Sequence, residues 1–248
     1  MEVKFDFTGK RFVVTGASSG IGRQIAFELA EAGASVLALA RREGKLKELQ
    51  KEFPERISIA VIDVTDSNKL EEAITLFAGD CKINGSVHTA GINQFTPLRI
   101  IKKNDVQKIM EINYLAGVEL IKILSKKKFS VPNSSHVLIS SVSGLQGQAG
   151  LSVYSASKSA ILGTVRSLAI ELAPQTIRIN AVSPGWIETE MASKMKEVNP
   201  NLSEEMQKKH PLGLGNVSDV TGMVLFLLSN RSRWITGSNI IVDGGFLA

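Results

Sequence analysis

The sequence predicts a single α/β domain in which helices cover both faces of a parallel sheet. Short runs that are apolar throughout alternate with segments of helical periodicity along almost the whole chain. Strands of this kind, separated by helices, are typical of a parallel sheet buried between two helix layers. The chain has 248 residues and no linker or low-complexity tract, so we expect one domain over residues 1–248.

Seven apolar runs are predicted as strands, which makes one doubly wound, Rossmann-type sheet. In chain order they are Arg11–Thr15, Ser35–Ala40, Ile57–Ile62, Gly85–Thr89, His136–Ser140, Ile177–Val182 and Asn239–Val242. The segments with helical periodicity are Gly20–Ala32, Gly44–Glu52, Ser67–Phe77, Asn104–Lys127, Tyr154–Ala173 and Ser218–Ser229.

One segment interrupts this alternation. Residues Trp186 to Gly215 contain no predicted strand, are rich in Met, Lys, Glu and Asn, and are broken by Pro200 and Pro211. A long irregular excursion in a compact α/β domain is usually a lid or a binding loop. We therefore predict a substrate lid at about 186–215, with a surface insertion of no function as the alternative.

The composition excludes several other classes of protein. Hydrophobic residues make up 44% and charged residues 21%, as in an ordinary globular domain. The net charge is +5, but lysine and arginine are scattered, and the densest cluster is only Lys126–Lys128. No zinc-finger or other metal-ligand spacing appears, and no basic stretch is interleaved with aromatic residues. We expect no metal, nucleic acid or membrane partner.

The location in the cell is expected to be cytoplasmic. Cys81 is the single cysteine, which fits a reducing compartment because no internal disulfide can form. The N-terminal sequence lacks the pattern of a signal peptide. The long uncharged stretch Phe129–Ser157 is rich in Ser, Gly and Gln, so it does not have the composition of a membrane span.

The first strand leads into a glycine-rich turn that opens a helix, Thr15–Gly22, with the spacing G-x-x-x-G-x-G. Glycines allow the backbone to approach a pyrophosphate, and the helix N-terminus presents free N–H groups to it. The strand–turn–helix context therefore predicts a dinucleotide site. The candidate contacts are Gly16, Ser18, Ser19, Gly20, Ile21 and Gly22. The alternative is a tight turn that merely requires three glycines.

The end of the second strand indicates which nicotinamide cofactor is bound. An acidic residue there accepts a hydrogen bond from the ribose 2′-hydroxyl of NAD, whereas arginine accommodates the 2′-phosphate of NADP. This strand ends at Ala40 and is followed by Arg41 and Arg42, with no carboxylate. We predict NADP(H), with NADH possible if the two arginines are simply solvated.

A candidate catalytic group follows the fifth strand. Tyr154 and Lys158 stand at i and i+4 of a predicted helix, so they share one face. A neighbouring cation favours the phenolate, which predicts a lowered pKa for Tyr154 and a role in general acid–base catalysis. Ser141 lies at the end of the preceding strand, where its hydroxyl can polarise a carbonyl, because chemistry collects at that edge of the sheet.

Taken together, these motifs resemble those of the short-chain dehydrogenase/reductase family over essentially the whole chain. Asn113, Ser141, Tyr154 and Lys158 match the family's catalytic positions, and Thr15–Gly22 matches its glycine motif. Further matches are Asp63-Val64, Pro184-Gly185, Ile235–Gly237 and Val242–Gly245.

The resemblance implies a role for each matching residue. Tyr154 would be the general acid/base, Lys158 would lower its pKa and hold the nicotinamide ribose, and Ser141 would orient the substrate oxygen. Asn113 would hold a water in a proton relay. The further cofactor contacts implied are Asp63, Val64, Ala90, Gly91, Pro184, Gly185, Ile187 and Thr189. Family members are usually tetramers, so a homotetramer is expected.

The fourth strand departs from the family pattern. Relatives usually end this strand Asn-Asn-Ala-Gly, whereas this chain has His88-Thr89-Ala90-Gly91. Thr89 keeps a hydroxyl but has no amide donor, so the turn beside the cofactor is expected to differ locally. His88 is interpreted as a buried strand histidine with its hydrogen bonds satisfied, and a catalytic or metal-binding role is the alternative.

The chain is most like bacterial 3-oxoacyl-carrier-protein reductases and related ketone reductases. An acidic acyl carrier would need exposed cations near the site, which Lys126–Lys128 could supply in part. Against this, Gln175 stands where such reductases often carry arginine, and the loop Phe129–Ser135 looks longer. Sugar, polyol or steroid-like alcohols remain alternatives, as do a substrate carried on CoA and a non-enzymatic cofactor-sensing or scaffold protein. Trp186 and Met191–Met195 are expected to line an apolar pocket wall, with packing against the lid alone as the alternative.

Overall fold

A computed structural model describes residues 4–198 and 202–248. Within them, seven strands form one parallel sheet in the order β3-β2-β1-β4-β5-β6-β7. The strands are β1 Arg11–Thr15, β2 Ser35–Ala40, β3 Ile57–Val61, β4 Ile83–His88, β5 Ser130–Ile139, β6 Arg178–Pro184 and β7 Asn239–Val242. The predicted doubly wound parallel sheet is therefore confirmed.

Helices cover both faces of the sheet. They are α1 Gly20–Glu31, α2 Glu43–Glu52, α3 Ser67–Ala78, α4 Lys103–Met110, α5 Ala116–Leu124, α6 Ser152–Leu172, α7 Glu190–Val198, α8 Leu202–Lys209 and α9 Val217–Leu228. Apolar side chains of α1, α2 and α9 pack together on one face of the sheet. Those of α3, α5 and α6 fill the other face. No helix among the described residues combines the length and apolar character that a membrane crossing requires.

The strand order reverses between β1 and β4, because β2 and β3 lie on one side of β1 and the later strands lie on the other. In an open parallel sheet, a ligand crevice forms at such a reversal, outside the carboxyl ends of the strands. The glycine-rich turn after β1 and the His88–Gly91 segment after β4 both lie at this point. The topology therefore brings the segment His88–Gly91, which departs from the family pattern, directly against the predicted dinucleotide site.

Two predicted elements differ from the observed ones by more than a shift of one or two residues at an end. The helix predicted over Asn104–Lys127 is divided by a π-helical segment, Glu111–Leu115, between α4 and α5. The fifth strand begins at Ser130 rather than His136, because Ser130 already pairs with Ile83 before the register shifts. The residues Phe129–Ser135 are thus mostly an irregular strand, which Pro132 and the polar run after it concealed.

The segment 186–215 also has more regular structure than predicted. It contains α7 and α8 rather than an irregular loop, and Pro200 lies outside the described residues. Its two ends are joined by a parallel bridge between Ile187 and Gly215. The backbone N–H of Glu188 donates to Gly215, and that of Gly215 donates to Trp186, at 3.0 Å each. The excursion therefore carries two helices on a closed base. Residues 186–215 are called the lid below, after a role in substrate binding that stays a prediction.

Candidate active site

The glycine turn after β1 packs tightly against the segment after β4. Gly16 has a φ of +71°, which favours glycine, and a Cβ added there would lie 2.6 Å from the Thr89 hydroxyl oxygen. The same Cβ would lie 2.7 Å from the backbone nitrogen of Ala90. The glycine at position 16 is therefore required both by the turn and by the close approach of the β4 segment.

The turn ends at the N-terminus of α1, where the backbone can receive an anion. Ser19 is extended, and within the described residues no side chain caps the helix. The N–H groups of Gly20, Ile21 and Gly22 stand in the first turn, where an α-helix has no acceptor for them. A Cβ on Gly20 would lie 3.3 Å from the Thr189 methyl carbon, so the lid approaches this turn. The cradle fits the pyrophosphate of a dinucleotide.

Arg42 lies across the glycine turn and does not extend freely into solvent. Its Nη2 donates to the Ser19 hydroxyl at 2.6 Å and to the Ser18 hydroxyl at 3.1 Å, and its Nε also reaches Ser18. Its Nη1 donates to a carboxylate oxygen of Glu190 on α7 at 2.7 Å. Arg42 therefore connects the end of β2, the glycine turn and the lid.

Arg41 and Asp63 lie together at the ends of β2 and β3. Their closest nitrogen and oxygen atoms are 3.6 Å apart, and Asp63 also accepts hydrogen bonds from the backbone and hydroxyl of Thr65. Burial by itself raises the pKa of Asp63, but the Thr65 hydrogen bonds and the Arg41 charge outweigh it, so that pKa is lowered. Asp63 is held ionised, and Val64 beside it is buried.

Thr89 bridges the end of β4 to the end of β1. Its hydroxyl donates to the Thr15 carbonyl at 2.5 Å, and its backbone N–H donates to the Thr15 hydroxyl at 3.2 Å. The backbone N–H of Ala90 reaches the same hydroxyl at 3.3 Å. The predicted local departure therefore keeps β1 and β4 joined, through a hydroxyl instead of an amide.

His88 is fully buried and has a partner on each ring nitrogen. Its Nε2 lies 3.1 Å from the carbonyl oxygen of Ile112 in the π-helical segment, and its Nδ1 lies 2.9 Å from the Thr15 hydroxyl. Burial, and then the Lys158 charge, lowers the pKa of His88 to about 3. A neutral ring facing a carbonyl must carry its proton on Nε2, so Nδ1 accepts from Thr15. His88 is thus the satisfied strand histidine that the sequence predicts.

Asn113 is wholly buried within that π-helical segment. Its side-chain oxygen accepts from the backbone N–H of Ile92 at 2.8 Å. Its amide nitrogen donates to the Ile92 carbonyl at 2.9 Å and to the Ser157 hydroxyl at 3.1 Å. Both amide protons are therefore used to join the β4 segment to α6. The water-holding role implied by the resemblance stays a prediction.

Ser141 and Tyr154 meet at the carboxyl end of β5. Ser141 caps a short 3₁₀ turn over Val142–Gly144, where its hydroxyl accepts the backbone N–H of Ser143 at 3.1 Å. A Cβ on Gly144 would lie 2.9 Å from the carbonyl carbon of Lys158, so glycine lets this turn pack onto α6. Tyr154 is 8% exposed, and the Ser141 hydroxyl lies close enough to its phenol to lower the phenol's pKa.

The direction predicted for the tyrosine pKa is wrong in this structure. Burial raises the pKa of Tyr154, and the neighbouring Ser141 hydroxyl only partly opposes this rise. Lys158 stands over the Tyr154 ring, 5.7 Å from its centroid, but donates its ammonium proton to the Ile139 carbonyl at 2.8 Å. The cation is therefore directed at a backbone oxygen, and desolvation of the phenol dominates.

Lys158 itself is buried among these groups, with 4% of its surface exposed. Burial lowers its pKa from 10.5 to about 8. A Cβ added to Gly91 would lie 3.4 Å from the Asn113 side-chain oxygen and 3.6 Å from the Lys158 ammonium. The predicted residues of β4, β5 and α6 thus surround one small volume at the carboxyl edge of the sheet.

The segment after β6 brings the remaining predicted contacts to the same edge. Pro184 ends β6 beside Val242, and a Cβ on Gly185 would lie 2.8 Å from the Asp243 Cα atom. The Thr189 hydroxyl accepts the backbone N–H of Ala192 at 3.3 Å at the start of α7. Ile187, which forms the lid bridge, is buried. Pro184, Gly185, Ile187 and Thr189 therefore form the base of the lid.

The pocket-wall interpretation of Trp186 and Met191–Met195 agrees with the geometry only in part. Met195 faces the segment after β4, because Asn93 donates a side-chain hydrogen bond to its sulfur at 3.2 Å. The Trp186 indole nitrogen donates to Glu188 within the lid at 3.3 Å. Met195 therefore borders the crevice, whereas Trp186 makes a contact internal to the lid.

Sequence reasoning missed two residues at this edge. Buried His210 accepts the backbone N–H of Trp186 at 3.1 Å, while its other nitrogen donates to the Met206 carbonyl at 2.7 Å. The second residue is Glu190, the partner of Arg42. No local pattern marked either residue, because both are defined by contacts distant in sequence. In residues 4–198 and 202–248 no group of three His, Cys, Asp or Glu side chains is arranged to hold a metal ion.

Comparisons with known proteins agree with this geometry. A family model described as "Enoyl-(Acyl carrier protein) reductase" matches residues 16–247. A 3-oxoacyl-(acyl-carrier-protein) reductase of Rickettsia prowazekii is 36% identical over 243 residues, covering 98% of each chain. A D-erythrulose reductase of Gallus gallus is 34% identical over 250 residues, covering 100% of this chain and 99% of the relative.

A solved structure from Brucella melitensis, described as a short-chain dehydrogenase/reductase of the glucose/ribitol dehydrogenase type, superimposes with a TM-score of 0.92. It is 31% identical, and the match covers 98% of this chain and 99% of that one. Both sequence and structure therefore match over nearly the full length. The chain belongs to the short-chain dehydrogenase/reductase family and is an oxidoreductase that acts on CH–OH or ketone groups.

Proposed function

We propose that the protein is an NADP(H)-dependent ketone reductase in which Tyr154 is the proton donor. The observation that carries this proposal is the buried phenol of Tyr154, beside Ser141 and adjacent to Lys158, at the sheet edge that also bears the glycine turn. A phenol held protonated by burial is a suitable acid for an oxygen that gains negative charge. Reduction of a ketone creates such an oxygen.

The cofactor-holding residues are assigned by position. The N-terminus of α1 and the glycine turn would receive the pyrophosphate, and Asp63 and Val64 would contact the adenine. Arg41 and Arg42 would face the 2′-phosphate. Ala90, Gly91, Pro184, Gly185, Ile187 and Thr189 would line the nicotinamide end. When bound, the nicotinamide supplies or accepts the hydride at the substrate carbon.

The chain's own residues handle the substrate oxygen and its proton. Ser141 orients the oxygen by hydrogen bonding, and the Tyr154 hydroxyl donates its proton as charge develops there. Lys158 stabilises the resulting phenolate, because its ammonium lies over the ring and has further donors besides the one on Ile139. Asn113 keeps the β4 segment and α6 at a fixed separation.

The substrate class we propose is a 3-oxoacyl thioester, with a keto sugar as the second candidate. The bacterial relatives named as 3-oxoacyl-(acyl-carrier-protein) reductases favour the first, and the D-erythrulose and L-xylulose reductases favour the second. Turnover with a 3-oxoacyl thioester, D-erythrulose and L-xylulose, each with NADPH and NADH, separates these candidates. Failure to oxidise either cofactor with any ketone contradicts the reductase proposal.

The basic cluster Lys126–Lys128 does not support carrier docking. It lies between the end of α5 and the start of β5, at the amino edge of the sheet, whereas the site lies at the carboxyl edge. Lys126 and Lys128 also form ion pairs with Glu71, at 2.7 Å and 3.3 Å. That interpretation is therefore wrong, because sequence spacing does not reveal which edge of the sheet a loop occupies.

A second basic surface is better placed for an acidic carrier. Arg99, Lys102 and Lys103 are exposed in the segment that follows β4 at the carboxyl edge. Beside them Leu98 and Ile100 are 81% and 64% exposed. We propose this surface as the docking site if the thioester is carried on a protein. Charge reversal at Arg99 should then raise KM for the carrier-linked substrate but not for a small thioester.

Assembly as a homotetramer stays a proposal. Its support is exposed apolar surface on α6 and near β7, where Ile170 is 79% and Trp234 is 91% exposed. Light scattering at micromolar concentration tests it, and a monomeric mass contradicts it. The cytoplasmic location expected from the single Cys81 likewise stays a prediction, which cell fractionation tests.

A further inference from the structure

The Arg42–Glu190 contact joins the lid to the side of the crevice where the cofactor's phosphates are expected. Arg42 places Nε and Nη2 on the hydroxyls of Ser18 and Ser19, and it places Nη1 on Glu190 at 2.7 Å. Each side of its guanidinium therefore already has a partner. A phosphate that uses Arg42 must share or displace one of them.

Glu190 is the partner that a phosphate would displace. The serine hydroxyls are neutral and can also donate to an anion, whereas the carboxylate of Glu190 only accepts and carries the same charge as a phosphate. The hydrogen bond from Arg42, and then its charge, lowers the pKa of Glu190, so this carboxylate is ionised at neutral pH. Bringing a second anion to Arg42 therefore opposes two like charges.

We propose that Glu190 is a specificity-determining residue that competes with the 2′-phosphate for Arg42. The inference rests on the proposed NADP(H) dependence. Glu190 weakens binding of the 2′-phosphorylated cofactor and leaves binding of NAD(H) nearly unchanged, so it limits the selectivity that Arg42 confers. Because Glu190 opens α7, the same competition connects recognition of the 2′-phosphate to the position of the lid.

The position of Arg42 strengthens this assignment. The Arg42 guanidinium lies on the Ser19 hydroxyl at 2.6 Å, directly before the first turn of α1. The end of β2 thus supplies a cation to the glycine turn. The guanidinium of Arg42 contacts the glycine turn and Glu190 of the lid at once, which is why Glu190 affects cofactor choice.

The test measures binding of two nucleotide fragments by calorimetry, with no turnover involved. The fragments are 2′,5′-ADP, which carries the 2′-phosphate, and 5′-AMP, which lacks it. An exposed ion pair is worth about a two- to fivefold change in an equilibrium. Glu190→Gln should therefore tighten binding of 2′,5′-ADP by about two- to fivefold, with 5′-AMP unchanged within the error. The gain should shrink in high salt.

The matched control is Glu188→Gln, which removes the same charge two residues away. Glu188 pairs with Lys196 inside the lid at 2.9 Å and does not contact Arg42. It should leave both affinities as in the parent. In an Arg42→Ala background, Glu190→Gln should have no effect, because the guanidinium for which Glu190 competes with the phosphate is absent.

The outcomes separate the two proposals. If the parent prefers 2′,5′-ADP and Arg42→Ala abolishes that preference, but Glu190→Gln has no effect or weakens binding, the competition is refuted and the NADP(H) proposal stands. If the parent binds both fragments equally and Arg42→Ala changes neither, the NADP(H) dependence itself is refuted. An equal gain in Glu188→Gln would also refute the competition, because the effect would then be only the loss of one negative charge.

Discussion

The two sides of the crevice are stabilised in different ways. On the side proposed for proton transfer, Asn113, Tyr154 and Lys158 are 0–8% exposed, and Asn113 and Lys158 hydrogen-bond to backbone and hydroxyl groups. On the side proposed for the adenosine, the side chains of Arg41 and Arg42 are 63% and 46% exposed and form ion pairs.

The difference decides how strongly each side responds to change. Water cannot replace a lost partner in a buried hydrogen-bond network, so breaking one leaves an unpaired group at a cost of about 1–3 kcal/mol. An exposed ion pair is screened and is worth about 0–1 kcal/mol. We therefore expect large effects on chemistry from the buried side, and small, graded effects on cofactor choice from the exposed side.

The largest effect is expected for Tyr154→Phe, which removes the proposed proton donor without changing the buried volume much. General acid catalysis contributes about 10²–10⁴-fold, so kcat should fall by at least 10²-fold with cofactor affinity nearly unchanged. The control is Tyr114→Phe, at the other tyrosine of the chain, whose hydroxyl contacts Thr164 at 3.0 Å. Turnover of Tyr154→Phe within tenfold of the parent contradicts the assignment.

Lys158→Met should raise the free energy of unfolding and lower turnover. Because burial lowers the pKa of Lys158 to about 8, folding opposes its charged form at every pH below that value. The unfolded chain binds more protons between about pH 8 and 10.5, so this residue makes stability rise with pH in that window. We expect Lys158→Met to be more stable at pH 7 by about 1–3 kcal/mol, less the cost of the unpaired Ile139 carbonyl.

The measurements for this variant are denaturant unfolding at pH 7 and at pH 10, together with turnover. The stability gain should be smaller at the higher pH, because the lysine of the parent is then neutral in the fold. Turnover should fall by at least tenfold, because the phenolate loses its neighbouring cation. A variant that is less stable than the parent at both pH values contradicts the assigned burial penalty.

His88→Ala tests whether the buried network positions the catalytic segment. The change leaves the Thr15 hydroxyl and the Ile112 carbonyl without their partner, so the free energy of unfolding should fall by about 2–4 kcal/mol. Because Ile112 precedes Asn113, kcat should also fall, by about tenfold. His136→Ala is the matched control, since His136 is also buried in the sheet and contacts Ser86 at 2.8 Å. Equal kcat losses in both variants would make His88 merely structural.

The smallest effect is expected for Arg41→Asp, which offers a carboxylate to the ribose diol. Position 41 suits this change because its side chain is exposed, whereas Ala40 is 6% exposed and an aspartate there would be buried. The ratio of kcat/KM for NADPH to that for NADH should shift toward NADH by about tenfold. A parent that already prefers NADH would mean that the arginines are only solvated.

Some features of the fold and of the candidate site could be predicted from the sequence, and others could not. The seven strands, the glycine turn, and the spacing of Ser141, Tyr154 and Lys158 follow from local patterns, and the structure places these groups at one sheet edge. The break in the helix predicted over Asn104–Lys127 had no local signal. It lies where β4 contacts this helix: His88 meets the π-helical segment, and a Cβ on Gly117 would lie 2.9 Å from the His88 ring.

The sequence by itself determined the fold class, the order of its elements and the identity of the catalytic candidates, because hydrophobic periodicity and short motifs are properties of neighbouring residues. Only the tertiary structure decided that Lys126–Lys128 lie at the opposite edge from the site, that burial raises the pKa of Tyr154, and that Arg42 is engaged by Glu190. Each of these depends on desolvation or on a partner distant along the chain. Neither the desolvation nor the contact exists until the sheet and its helices have packed.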